Sequence, residues 1–164
     1  MRIRAVRPRE YERVGEITVA AYAAVDGYVS EPDYEVELRD VGGRAGARAT
    51  AVLVAVDDDG TVLGGVTYVS DLTSPFVEHD IDGAAGIRML AVDPAAQGRG
   101  VGRALTEACL ARARAEGRCE VVLHSTQWMV TAHRLYERLG FVRDPDLDFA
   151  PVPDIELRAF RLRL

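Results

Sequence analysis

Glycines at 98, 100 and 102 are the residues whose type and spacing most directly imply chemistry. They stand in Gln97-Gly98-Arg99-Gly100-Val101-Gly102-Arg103, after an apolar run over residues 87–92 and an Asp93-Pro94 break. A buried strand followed by a glycine turn that opens a helix brings backbone close to a bulky anion. The first helical N–H groups have no partners inside the helix and point outward. The helix dipole adds partial positive charge, contributing about 0.3–1 kcal/mol for an exposed anion. A phosphate or pyrophosphate is the natural guest. Arg99 and Arg103 could add point charge. Two familiar phosphate motifs do not fit. A nucleotide P-loop needs Gly-Lys-Ser/Thr, whereas Arg103 follows Gly102. The dinucleotide fingerprint needs a further glycine where Arg103 or Leu105 stands.

Other reactive side chains carry weaker signals. His124 beside Ser125 lacks the Gly-x-Ser-x-Gly elbow of a hydrolase, so Ser125 or Thr126 reads as a helix cap. Glu78, His79, Asp80 and Asp82 each read as part of a solvated acidic loop. Trp128 reads as a packing residue and His133 as a surface or half-buried helix residue. Tyr136 shares a helical stripe with Ala132 and Leu139, which by itself describes a core aromatic. Cys109 and Cys119 cannot build a disulfide framework and read as reduced thiols. His79, His124 and His133 have no metal-ligand spacing, so no metal is expected.

Composition bounds the partners. A length of 164 residues fits one domain, 1–164. A formal net charge of −6 disfavours nucleic acid, because neutralising phosphates takes a basic face. The N-terminal residues lack the apolar region of a signal peptide, and the run 51–56 is far too short to span a bilayer. A soluble, cytoplasmic protein without membrane contact is expected, and a homodimer is left open.

The elements that must position the glycine turn follow from periodicity. A short strand over residues 2–6 precedes a helix begun at Pro8 and carried by Tyr11, Val14, Thr18 and Ala21. A second short helix over about 34–41 should end at Gly42-Gly43. Strands at 51–56 and 61–70 flank the Asp59-Gly60 turn of a hairpin, and residues 72–85 read as loop. After the strand at 87–92, a helix from 101 to 115 buries Val101, Ala104, Leu105, Ala108 and Ala111, with Leu110 left on the polar side. A strand at 119–123, a helix holding Ala132, Leu135, Tyr136 and Leu139, and a last strand from Ile155 complete an α/β chain. Gly140 suits the helix's left-handed C-terminal position.

At these residues the chain resembles the GCN5-related N-acetyltransferases. Gln97-x-x-Gly100-x-Gly102 after Leu90-Ala91-Val92-Asp93-Pro94 is similar to that family's acetyl-coenzyme A motif, and Leu135-Tyr136-Glu137-Arg138-Leu139-Gly140-Phe141 falls in the family order. The resemblance implies a mixed sheet of about six to seven strands flanked by about four helices. The strands either side of the glycine helix would splay apart to form the acetyl-CoA cleft. It implies that Leu90, Ala91 and Val92 meet the pantetheine arm as an added strand. Gln97, Gly98, Arg99, Gly100, Val101, Gly102 and Arg103 would hold the pyrophosphate. Tyr136 would stand where the family often places the general acid that protonates the departing thiolate.

The implied reaction moves an acetyl group from acetyl-CoA to a small-molecule amine. Only about one in a thousand lysine-like amines is neutral at pH 7, so a base or relay is required. The family's strand glutamate is missing from Ala84-Ala85-Gly86-Ile87, and Met129 replaces an asparagine often found near the cofactor arm. Acceptor determinants should come from residues 24–32, 70–82 and 144–154, which hold Tyr28, Phe76, Glu78, Asp146 and Phe149 and would suit a cationic, partly apolar amine. Two other readings share the glycine turn: a non-catalytic acyl-CoA sensor, and a protein or peptide N-acetyltransferase.

Overall fold

The computed structural model describes residues 1–27 and 32–164. Tyr28 therefore lies outside the described residues. The chain runs β1 (Arg2–Ala5), a 3₁₀ turn, α1 (Tyr11–Ala23), α2 (Pro32–Arg39), α3 (Val41–Gly46), β2 (Thr50–Val56) and β3 (Val62–Val69). It continues with β4 (Ala84–Val92), α4 (Val101–Ala115), β5 (Glu120–Thr126), α5 (Val130–Arg138), β6 (Val142–Arg143), β7 (Phe149–Val152) and β8 (Ile155–Arg163).

The strands form one mixed sheet in the order β1-β2-β3-β4-β5-β8-β6, with β7 also on β8. Every strand pairing among the described residues is antiparallel except β4 with β5, which is parallel. The apolar run in β2 is continuous because both sheet faces are covered. Val52, Val54 and Val56 meet Val14 and Ile17 of α1 and Val41 of α3 on one face. Leu53 and Ala55 join Leu105 and Cys109 of α4 and Tyr136 of α5 on the other.

Several sequence expectations are corrected. Gly42 and Gly43 do not end a helix. The chain breaks at Asp40, whose carboxylate caps α3 by accepting the Gly43 N–H at 2.8 Å. A Cβ at position 43 would lie 2.1 Å from that carboxylate, so glycine there is what admits the cap. Ala84 and Ala85 belong to β4 and not to the preceding loop. On α4, Leu110 is buried and Ala111 exposed, because the core-facing stripe runs through Leu105, Thr106, Cys109 and Ala113. β6 and β7 are too short to leave a periodic signal. Among the described residues no helix is long and apolar enough to cross a membrane, and no cluster of three candidate metal ligands forms.

The sheet forks at its centre. β4 and β5 pair only from Ala84↔Glu120 to Ile87↔Leu123. Past that point β4 stays with β3 as far as Val92↔Gly64, and β5 stays with β8 as far as Thr126↔Leu157. The register of β4 on β3 shifts between Gly65 and Thr67, and Met89 takes φ +51°, a bulge that turns the strand at the fork.

Candidate functional site

The glycine turn lies beyond the end of β4, after a 3₁₀ turn at Pro94–Ala96 whose Ala95 N–H is held by Asp93 at 2.9 Å. Gly98 and Gly100 take φ of +75° and +77°, and a Cβ at either would find no atom within 4 Å. Gly100 caps α4 without any side-chain hydrogen bond. The Gln97 and Arg99 N–H groups bond weakly to Pro94 and Ala96 carbonyls at 3.4 Å. Those of Gly98, Gly100, Val101, Gly102 and Arg103 have no partner among the described residues. Unpaired N–H groups clustered at the start of a helix suit a diphosphate. Arg99 and Arg103 are each engaged: Arg99 donates to Asp57 at 2.6 Å, and Arg103 to Glu107 at 2.8 Å. Arg99 thus ties the turn to the β2–β3 hairpin.

A cavity of about 450 Å³ opens at the fork. Arg88 and Met89 from β4 and Ser125 and Thr126 from β5 form its inner wall. Tyr22, Tyr34, Trp128 and Phe149 supply aromatic surface, and Asp33, Glu37 and Glu78 supply carboxylates. Arg88 lies between two of these, 2.8 Å from Glu78 and 3.4 Å from Glu37. His124 Nδ1 lies 3.7 Å from the other Glu78 oxygen, while Nε2 lies 2.9 Å from the Leu147 carbonyl. Burial pushes the Glu78 carboxyl above its ordinary value, partly offset by Arg88. Tyr22 and Tyr34 hydrogen-bond to each other and meet edge to face at 6.1 Å, and burial raises both phenols. The hydroxyls of Ser125 and Thr126 are buried without a partner among the described residues.

The sequence profile of the Acetyltransferase (GNAT) family matches residues 12–141. The chain belongs to this acetyltransferase family. The chain is 36% identical over 98 residues to a mycothiol acetyltransferase of Saccharopolyspora erythraea, covering 59% of this chain and 29% of the relative. The chain thus spans less than a third of the curated relative it matches. An acetyltransferase of the GNAT family from Staphylococcus aureus Mu50 superposes with a TM-score of 0.77 at 13% identity, covering 99% of this chain and 98% of that one. The yncA protein of Salmonella typhimurium, solved with acetyl-CoA as its cofactor, gives 0.66 at 23% identity, covering 100% and 94%. At such identities the likeness is one of fold.

The anticipated residues fall into separate places in the fold. Leu90 and Val92 pack on the α4 side of the sheet and Ala91 on the α1 side. None of the three, and no residue of the glycine turn, lines the cavity. Tyr136 is 5% exposed, with its ring 5.8 Å from those of both Phe141 and Phe160. Burial raises its phenol. Tyr136 lies outside the cavity wall.

Of the acceptor candidates, Glu78 and Phe149 line the cavity, and Phe76 and Asp146 do not. Glu78 is no solvated loop residue; it turns inward to meet Arg88. Trp128 and Met129 line the cavity as well. Neither Ser125 nor Thr126 caps a helix: the N-cap of α5 is Met129, with no side-chain bond. His133 is buried and meets the Thr126 carbonyl at 3.0 Å. Sequence reasoning missed Tyr22, Tyr34, Glu37 and Arg88. Their helix and strand periodicity resembles that of any core or surface position, so no local signal separates them.

Proposed function

We propose that this chain is an acetyl-CoA-dependent N-acetyltransferase acting on a small, cationic, partly apolar amine. The observation that carries the reading is the cavity at the β4–β5 fork. Among the described residues its wall holds Asp33, Glu37 and Glu78 against one permanent cation, Arg88, together with the rings of Tyr22, Tyr34, Trp128 and Phe149. Carboxylates attract an ammonium group, and aromatic faces favour both the cation and its apolar body. A volume of about 450 Å³ is in the range of small-molecule sites. The name of the Saccharopolyspora relative supports a small-molecule acceptor.

Acetyl-CoA is the acyl-donating substrate and supplies the acetyl group as a thioester. The free N–H groups of Gly98 and of Gly100 to Arg103 would grip its diphosphate, assisted by the start of α4. The edge of β4 released from β5, over Leu90, Ala91 and Val92, would pair with the pantetheine arm and offer an N–H to the developing oxyanion. Tyr136 would donate its phenolic proton to the leaving sulfur. Its raised pKa keeps that proton in place at neutral pH.

The test is thiol release from acetyl-CoA against a panel of diamines, polyamines, arylalkylamines, amino acids and peptides. Turnover with small cationic amines supports the reading. Acetyl-CoA binding by calorimetry with no turnover across the panel makes the chain an acyl-CoA sensor, and turnover only with peptides makes it a peptide acetyltransferase.

A further inference from the structure

We propose that Glu78 takes the proton from the acceptor's ammonium group and shares it with His124 as a two-residue relay. The proposal rests on the acetyltransferase reading above and names the base that reading lacks. β4 carries no carboxylate at Ala84-Ala85-Gly86-Ile87. Glu78 instead reaches the fork from the preceding loop and lines the cavity with its side chain 20% exposed.

Partners fix the geometry of the pair. The Leu147 carbonyl can only accept, so the His124 nitrogen 2.9 Å away, Nε2, carries a hydrogen. In the neutral ring this leaves Nδ1 as the lone-pair nitrogen, with Glu78 Oε2 3.7 Å away. Phe149 holds the ring edge to face at 5.0 Å, and the His124 side chain is 2% exposed. His124 is therefore a sheltered proton acceptor behind Glu78, and Glu78 is the group that substrate can touch.

The surrounding charges leave this pair open to proton exchange. Arg88 pairs with both Glu78 and Glu37. Tyr34 and Tyr22 hold each other, with raised phenols that stay protonated. Asp148, near His124, is committed to Arg143 at 2.6 Å and to the Ala159 N–H at 2.8 Å. His79, adjacent in sequence, accepts the Ile81 N–H at 3.3 Å, and burial lowers its pKa. Burial of Glu78 raises its basicity toward the range a base needs.

The protons balance as follows. R–NH₃⁺ gives one proton to the Glu78 carboxylate, which passes it to Nδ1 to form an imidazolium beside a carboxylate. The free amine forms the C–N bond, the C–S bond breaks, and the sulfur leaves with the Tyr136 proton. Tyr136 recovers a proton from the former amine nitrogen. The relay releases its proton to solvent.

The experiment compares wild type, Glu78→Gln, His124→Gln and the double variant, using the amine found active in the panel. Each is first checked for acetyl-CoA binding by calorimetry. Expected is a loss of turnover at pH 7 of about 100-fold or more in Glu78→Gln. That deficit should shrink by roughly tenfold per pH unit as the medium deprotonates the amine. The double variant should be no worse than Glu78→Gln, since the pair acts as one unit. Nitrogen NMR of wild type should show His124 as the Nε2–H tautomer. An unchanged pH profile in Glu78→Gln, additive losses, or an Nδ1–H tautomer overturns the relay while leaving the acetyltransferase reading intact. Failure of wild type with every amine overturns both.

Discussion

Arg88 Nη2 lies 2.8 Å from Glu78 Oε1, one cation set inside a cavity that otherwise gathers carboxylates. Its guanidinium also meets Glu37 at 3.4 Å. Arg88 therefore allows two acidic side chains to face one small volume without repelling each other apart.

Replacing Arg88 by Met leaves that acidity uncompensated. Stability should fall by about 2 kcal/mol, below the cost for fully buried pairs because Glu37 is partly exposed. Glu78 already has a raised folded-state pKa, so its contribution is most favourable below the unfolded carboxylate value and is lost as pH rises through the folded value. The Arg88→Met deficit should thus be larger at pH 8 than at pH 5. Urea unfolding at the two pH values measures it.

Tyr136→Phe separates a catalytic hydroxyl from a core ring. The ring packs on Phe141 and Phe160, contacts that phenylalanine preserves. Stability should change by no more than about 0.5 kcal/mol, while turnover falls roughly 100-fold if the hydroxyl is the acid. Unchanged turnover in a thiol-release assay assigns Tyr136 to packing alone.

Gly100→Ala places a side chain at φ +77°. Left-handed backbone costs a non-glycine residue about 1–2 kcal/mol. Surrounding space is open, so the loss is conformational and not steric. Acetyl-CoA affinity should drop together with the melting temperature, whereas Gly102→Ala, in helical backbone with its nearest contact at 3.4 Å, should keep its stability. Paired calorimetry and thermal melts decide it.

Ser125→Ala removes a buried hydroxyl that has no partner among the described residues. The free protein should be unchanged or more stable by up to about 1 kcal/mol, while binding of the acceptor or donor weakens. A variant that loses stability and keeps full affinity would show that the hydroxyl serves the fold.

Glu10 supplies an acid-sensitive anchor away from the site. It takes both Arg4 nitrogens, at 2.6 and 2.8 Å, and the Arg7 N–H at 2.9 Å, which hold its carboxyl at about 2. A lowered carboxyl stabilises the fold above its unfolded value and loses that contribution as pH falls through the folded one. Between about pH 4.5 and 2 the wild type should lose roughly 1–2 kcal/mol that Glu10→Gln never had. Denaturation midpoints across that window test it.

The sequence by itself determined every strand but β6 and β7 in chain order, the helix behind the glycine turn and the free donors at its start. Those features are local: apolar periodicity, an Asp-Pro break and positive-φ glycines leave their mark within a dozen residues. Even there Gly42 and Gly43 misled, because a glycine that ends a helix and one that makes room for the Asp40 cap look alike along the chain. Only the tertiary structure decided the cavity at the fork. Tyr22, Glu37, Glu78, Arg88 and His124 come from different elements and meet where β4 and β5 stop pairing. Charge pairing and desolvation act through space, so the inward turn of Glu78, from a segment that reads as a solvated loop, follows from Arg88 and not from its neighbours in sequence.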